Sequence, residues 1–369
     1  LRSVHVGLGS RAYEIRVGHG LLAEAGKWIK RAGMATGRHV IVVSQRAIAE
    51  RYHAPLSQSL SREGFHHSLF LTPAAKSSEA AKSSAVYAKL IHTVAARDGG
   101  GRSVALVALG GGVIGDLTGF AASVYRRGVP YVQLPTTLTA QVDSSIGGKT
   151  GIDLPEGKNL LGTIYQPAAV LSDPSALQSL PDRHWSDGFA EVVKYGVIED
   201  AALFALLERE GLEGARRPKT LEQVIFRCAR IKARVVERDE FDRQGIRMAL
   251  NFGHTAGHAI EAASGFTGRY THGEAVAIGM LVACDIAERL GVLKDRTLTG
   301  RLERTLIKFN LPMFYRGLPL ETILKAVGYD KKAEAGVNRF VLPVRIGKVR
   351  IVGNVPSEIL TAALQKRKG

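Results

Sequence analysis

Between residues 13 and 134, short runs of β-branched and aliphatic residues alternate with longer amphipathic stretches, and this alternation limits the fold more than any other feature. Strand-like runs at 13–17, 39–44, 67–71, 104–109 and 131–134 are separated by stretches at 21–30, 47–60 and 78–97 with helical spacing of apolar residues. Strands joined through helices pair in parallel, because the crossover carries the chain back to the same end of the sheet. From about residue 182 the strand signal fades, and helical patterns follow at 186–195, 201–210, 221–238, 254–263, 274–290 and 298–309. A late pair, 339–342 and 349–352, reads as a short hairpin across Ile346-Gly347-Lys348. The expectation is an α/β N-terminal domain over 1–177 and an all-α C-terminal domain over 178–369. Their boundary falls at a junction near 174–181, a kind of place that favours active sites.

Composition matters at three points. With 369 residues, 45% hydrophobic and 23% charged, the chain belongs with ordinary globular proteins and not with disordered ones. No apolar run reaches the ~18 residues a membrane span needs, since glycines and Asp116 interrupt the best candidate between Ser103 and Val124. The first residues lack a secretory pattern, and Cys228 and Cys284 cannot build a disulfide framework, so a cytoplasmic, membrane-free protein is expected. The formal charge of +16 attracts anions without naming them. No finger spacing, RNP-type strand or compact basic arm accompanies it, so a phosphorylated small molecule is expected and nucleic acid is not.

Three constellations carry chemistry. Gly110-Gly111-Gly112-Val113-Ile114-Gly115-Asp116 follows a strand pattern and opens a helical one. Glycines there admit a ligand close to the backbone, and amides at a helix start attract phosphate oxygens, which suits a pyrophosphate. A tight strand-to-helix turn would read the same way, and Asp116 could serve the helix dipole or a cofactor hydroxyl. A second polar stretch contains Pro135-Thr136-Thr137-Leu138, then Asp143-Ser144-Ser145-Ile146-Gly147-Gly148-Lys149-Thr150, then Gly157-Lys158-Asn159. Lysines beside glycines and hydroxyls suit an oxyanion, but the glycine a P-loop needs is Asp143, which disfavours nucleoside triphosphates. The third is Asn251-Phe252-Gly253-His254-Thr255-Ala256-Gly257-His258-Ala259-Ile260-Glu261, followed by His272-Gly273-Glu274. His254 and His258 share a helical face, and with His272 and a carboxylate they suit zinc; spacing leaves open which of them bind it. Glu191, on an otherwise apolar helical stretch, needs a partner if buried, either a metal or Lys194.

Taken in order, these segments resemble the 3-dehydroquinate synthases, within the sugar-phosphate cyclases. Arg127-Gly128-Val129, Ala190-Glu191-Val192-Val193-Lys194-Tyr195-Gly196, His272-Gly273-Glu274-Ala275-Val276 and Asp330-Lys331-Lys332 complete the match. The resemblance implies a Rossmann-like NAD-binding domain, a helical domain that binds Zn2+ or Co2+, and a homodimer. Glu191, His254 and His272 resemble the metal ligands. Gly110, Gly111, Gly112, Asp116, Thr136, Thr137, Asp143, Lys149, Lys158 and Ser179 resemble NAD positions. Arg127, Asp143, Lys149, Asn159, Lys194, Lys232, Arg247, Asn251, His258 and Lys331 resemble substrate positions, with Arg127 reaching the phosphate held by the neighbouring subunit. Of all these, Lys149, Glu191, Lys194, Arg247, Asn251, His254 and His258 are expected to be catalytic.

The family chemistry is a carbon–oxygen lyase reaction of the shikimate pathway, toward chorismate and the aromatic amino acids. Transient oxidation of 3-deoxy-D-arabino-heptulosonate 7-phosphate precedes phosphate elimination, reduction and aldol closure to 3-dehydroquinate. The competing readings are a 2-epi-5-epi-valiolone or 2-deoxy-scyllo-inosose synthase and a metal-dependent polyol dehydrogenase. One segment departs from the family: Glu79 and Lys82 keep a Glu-x-x-Lys step, but Ser78 stands where the family has glycine, and Pro73 lies further off.

Overall fold

The computed structural model describes residues 1–74, 78–99, 103–265, 267–330 and 338–369. Its contacts divide the chain into two compact units, 1–180 with 225–241, and 181–224 with 242–369. A single boundary after residue 177 therefore misses one exchange: 225–241, most of a long helix, groups with the first unit. Apolar periodicity identifies that helix but is silent on which core receives its buried face.

The first unit is built on seven strands: β1 (Arg2–Val6), β2 (Tyr13–Val17), β3 (His39–Ser44), β4 (His66–Leu71), β5 (Val104–Gly110), β6 (Tyr131–Pro135) and, past a separate hairpin, β9 (Ala169–Ser172). The hairpin is β7 (Lys149–Leu154) with β8 (Gly157–Ile164). The sheet order is β1-β2-β9-β6-β5-β3-β4, parallel throughout except for β1 against β2. Its helices are α1 (Ala25–Arg31), α2 (Arg46–Arg62), α3 (Ser84–Arg97) and α4 (Gly112–Val124).

Two cores lie on opposite faces of this sheet, and the period of two sorts residues between them. Val40, Val42, Ala105, Val107 and Leu109 join one core; Ile41, Val43, Val104, Leu106 and Ala108 join the other. The interior strand β5 is buried along its whole length, which explains why it reads as an unbroken apolar run. Three features were not expected from the sequence. Strands β1 and β9 add to those expected, the polar stretch around 149–159 belongs to a hairpin over 149–164, and the helix expected at 78–97 begins only at Ser84, after a 3₁₀ turn at Ser78–Lys82. Ser83 caps it, accepting from the Val86 amide.

From β3 the chain moves outward to β4, then returns to the other side of β3 as β5 before moving on to β6. The strand order thus reverses between β3 and β5, and in open α/β sheets the crevice beyond the carboxyl ends at such a reversal is where ligands bind. Gly110–Gly112 lies at the carboxyl end of β5.

The second unit is mostly helical: α5 (Asp182–Ile198), α6 (Ala201–Ala215), the start of α7 (Pro218–Arg238), α8 (His254–Ala263), α9 (His272–Arg289), α10 (Leu298–Lys308), α11 (Leu320–Asp330) and α12 (Ser357–Lys366). The expected hairpin is present as β10 (Arg339–Arg345) and β11 (Lys348–Gly353). Helix α9 is buried from Ala275 to Ala287 and forms the axis of this core. Among the described residues, no helix is long and apolar enough to cross a membrane.

Candidate functional site

In the first unit, the turn from β5 into α4 leaves no room for side chains. A Cβ on Gly111 would lie 2.9 Å from Thr137 Cγ2, and one on Gly112 would lie 2.8 Å from Ser144 Oγ. Gly111 caps α4, whose first intrahelical bonds run from the amides of Ile114 and Gly115 to Gly111 O, both at 3.1 Å. The preceding amides, those of the glycines and Val113, are the ones an α-helix leaves without an intrahelical acceptor. Thr136 is buried and its amide donates to Gly110 O at 3.0 Å, which places both threonines beside the glycine turn.

Asp116, one turn into α4, does not stand alone. Lys82, only 3% exposed, reaches it at 2.9 Å, hydrogen-bonds Asn159 Oδ1, and lies 3.7 Å from Glu79 and 3.9 Å from Asp153. Burial pushes the Asp116 carboxyl up to about 6 even though Lys82 pulls the other way. Asp153 also accepts from the Asn159 amide at 2.8 Å. Lys82 and Asp153 were given no role from the sequence; the Glu79-x-x-Lys82 step was the only signal.

The remaining first-unit candidates fall in several places. Lys232 Nζ, on α7, bonds Asp143 O at 2.8 Å and pairs with Asp143 Oδ1 at 2.9 Å, joining two residues 89 apart. Asp143 lies in a π-helical turn, Ala140–Ser144. Lys149 and Lys158 are exposed at the starts of the hairpin strands. Ser179 Oγ is 2.8 Å from Tyr52 OH, which also donates to Ala176 O. Arg127 is exposed on a turn whose residues Arg126, Arg127 and Gly128 have φ of 47°, 60° and 123°. Asp98 holds that turn, accepting Arg126 Nε at 2.5 Å and Tyr125 OH at 3.0 Å. Burial of Asp98 acts upward, but these donors and Ser103 win and hold its carboxyl at about 2.

In the second unit, residues from three helices converge. Glu191, on α5, is 1% exposed. Its Oε1 lies 3.4 Å from His254 Nε2 and 3.2 Å from His272 Nε2, while its Oε2 is ion-paired with Lys194, one turn along the same helix. His254 and His272 are the first residues of α8 and α9. Glycines bring these helices together. Gly253, at φ 81°, is packed against Met280 and Val276, and a side chain on Gly279 would collide with Gly253 O. Gly273 is likewise pressed on Asp187 of α5, whose Oδ1 accepts the Gly273 amide at 2.6 Å. A capping box between Thr271 and Glu274 fixes the start of α9. His258 Nδ1 or Nε2 lies within 4.8 Å of ligand atoms of both other histidines. Glu191 faces His254 and His272.

The proton positions follow from the partners. His254 Nδ1 is 3.2 Å from Phe252 O, and His272 Nδ1 is 3.1 Å from Glu261 Oε2. Both partners are acceptors, so in a neutral ring each Nδ1 carries the proton and each Nε2 turns a lone pair toward Glu191 Oε1. Three acceptors facing one another repel, and a cation among them is what reconciles the arrangement. Two imidazole nitrogens and a carboxylate oxygen are a donor set that holds zinc with an open position, so these residues fit a divalent ion. Burial acts against a charged His272 ring, but Glu191 and Glu261 raise it to about 10. Burial lowers His254, and burial with the two neighbouring rings pushes His258 down to about 4. Burial would raise Glu191, yet Lys194 and the imidazoles hold it well below the usual carboxylate range. Arg247 is buried and Asn251 exposed on the 3₁₀ turn Ile246–Asn251 that precedes α8. Lys331 lies outside the described residues.

Comparison with known proteins agrees along the whole chain. Residues 73–187 match the family described as 3-dehydroquinate synthase N-terminal, and 188–333 the one described as 3-dehydroquinate synthase C-terminal. A 3-dehydroquinate synthase of Acidithiobacillus ferrooxidans is 43% identical over 370 residues, covering 99% of this chain and 98% of the relative. Among solved structures, the 2-epi-5-epi-valiolone synthase ValA of Streptomyces hygroscopicus, with NAD+ and Zn2+ bound, is 29% identical at a TM-score of 0.86, over 96% of both chains. A 2-deoxy-scyllo-inosose synthase complexed with carbaglucose-6-phosphate, NAD+ and Co2+ is 25% identical at 0.85, over 99% of this chain and 100% of the other.

Proposed function

Because the chain belongs to the 3-dehydroquinate synthase family, we infer that it converts 3-deoxy-D-arabino-heptulosonate 7-phosphate to 3-dehydroquinate and phosphate, using NAD and a divalent ion, Zn2+ or Co2+. The observation that carries this reading is the convergence of Glu191, His254 and His272 on one point with their acceptor atoms facing inward. When bound, the dinucleotide supplies a reversible hydride acceptor, and the ion polarises substrate hydroxyls.

The chain's own residues do the rest. Glu191, His254 and His272 hold the ion. The amides of the Gly110–Gly112 turn and the start of α4 receive the pyrophosphate, with Thr136, Thr137, Asp116, Asp143, Lys149, Lys158 and Ser179 as further dinucleotide positions. Lys82 and Asn159 orient Asp116 there. Asp143, Lys149, Asn159, Lys194, Lys232, Arg247, Asn251, His258 and Lys331 are the substrate positions. Cations at these positions hold a carboxylate and a phosphate, and stabilise negative charge as a hydroxyl loses its proton. His258, kept neutral by its lowered pKa, can hydrogen-bond the substrate. Arg127 serves the phosphate of a second subunit in a homodimer, which its exposed, firmly held turn supports. The protein acts in the cytoplasm on small molecules, without nucleic acid.

An assay of the purified protein with the heptulosonate phosphate and NAD tests this. Phosphate should be released with no lasting gain in NADH, and chelation should abolish the release. Steady NADH accumulation would point instead to a polyol dehydrogenase, and turnover of a sugar phosphate that lacks the carboxylate to another sugar-phosphate cyclase.

A further inference from the structure

The two imidazoles that face Glu191 are held by different means. His254 is oriented by a main-chain carbonyl, Phe252 O, at 3.2 Å. His272 is oriented by a side chain, Glu261 Oε2, at 3.1 Å. We propose that Glu261 is a positioning residue for the divalent-ion centre. By accepting the Nδ1 proton of His272 it fixes that ring's tautomer and rotation, so that Nε2 points to Glu191. The inference rests on the divalent-ion reading above and adds a residue to which no role has been given.

The main chain around His272 is already fixed. Thr271 and Glu274 cap α9, and Asp187 Oδ1 holds the Gly273 amide at 2.6 Å. None of this settles the side chain, which retains two torsions and two tautomers. Glu261 reaches it from α8. Steps of four and three residues, His254 to His258 to Glu261, keep all three on one face of that helix, whose close packing on α9 the glycines permit. The Glu261 side chain is only 14% exposed, so its negative charge is little screened and makes the ring a stronger donor. Carboxylates that accept from a metal-bound histidine commonly contribute 10- to 100-fold in metal affinity.

The test compares wild type with Glu261→Gln, which keeps an acceptor of the same shape without the charge, and Glu261→Ala, which removes it. Each protein is stripped of metal, reloaded with Zn2+ or Co2+, and titrated against a chromophoric chelator. Zn2+ affinity should fall about 10- to 100-fold in Glu261→Ala and by less in Glu261→Gln. The visible absorption of the Co2+ form should shift in Glu261→Ala, a change that a purely structural role would not produce. NADH binding, read by fluorescence, should be unchanged. Should Glu261→Ala fail to fold, Glu261→Gln decides alone. Affinities within twofold of wild type together with an unshifted Co2+ spectrum overturn the proposal while leaving the divalent-ion reading intact. A wild-type protein that takes up neither metal overturns both.

Discussion

Two buried charge clusters, one in each unit, solve the same problem differently. Around Asp116 the chain supplies its own counter-ion: Lys82 is enclosed by Asp116, Asp153, Glu79 and Asn159. Around Glu191 it supplies half of one, since Lys194 neutralises Oε2 while Oε1 faces two imidazole nitrogens. Burying a charge is tolerable only when it is paired and hydrogen-bonded, so Asp116 has its partner within the protein, while the acceptors around Glu191 Oε1 leave room for an added cation. The difference is one of partners: the Asp116 carboxylate meets a lysine from its own unit, whereas Glu191 Oε1 meets two imidazole nitrogens.

The sharpest way to break this contrast is His272→Ala. It should reduce bound metal from about one per chain to near none and lower turnover by at least about a thousandfold, while NADH binding persists. Full zinc occupancy by elemental analysis of that variant would end its ligand role. Next in size is Lys194→Met, which leaves Glu191 buried without its lysine. Chemical denaturation of the metal-free protein should show a loss of roughly 3–5 kcal/mol, partly restored by Zn2+. Lys82→Met should be milder at low pH, because Asp116, at about 6, can take a proton and cease to be a charge. An equal loss at pH 5 and pH 8 would erase the distinction between the clusters.

Smaller effects probe the first unit. Gly111→Ala introduces a Cβ 2.9 Å from Thr137, and overpacking of this kind costs about 1–3 kcal/mol. A matching rise in the NADH dissociation constant, measured by fluorescence titration, is expected. The smallest effect is on pH dependence. Asp116 holds its proton more tightly folded than unfolded, so its contribution to stability is complete below about pH 4 and lost as pH rises through about 6. Asp98 runs the other way: held at about 2, its contribution is complete above about pH 4 and lost as pH falls through about 2. Asp116→Asn should flatten the first slope in denaturation curves taken between pH 2 and 7 and leave the second, below pH 4, in place.

Legibility varied with the range of the interactions. The sequence around His254 places α8 to the residue, because apolar spacing is local. Strand β5 was readable because a parallel strand buried on both faces is apolar throughout. Strands β1 and β9 are not legible because five and four residues carry too few positions to establish a period. The Lys82 cluster was hidden because Lys82, Asp116, Asp153 and Asn159 meet only after β7 and β8 fold back as a hairpin. Helical spacing puts His254 and His258 on one face, but that Glu191 faces His254 and His272 depends on how three helices pack.

By itself the order of residues determined the two kinds of architecture, the glycine turn and the supply of metal-binding groups, since helix and strand periodicity and turn chemistry act over a few neighbours. Tertiary structure alone decided that 225–241 joins the first unit, that Asp116 is neutralised by Lys82, and that Glu261 stands behind His272. Burial and hydrogen bonding between groups far apart in sequence depend on how helices and strands pack, and close contacts such as Gly253 against Gly279 set that packing without leaving any pattern a reader of the sequence could follow.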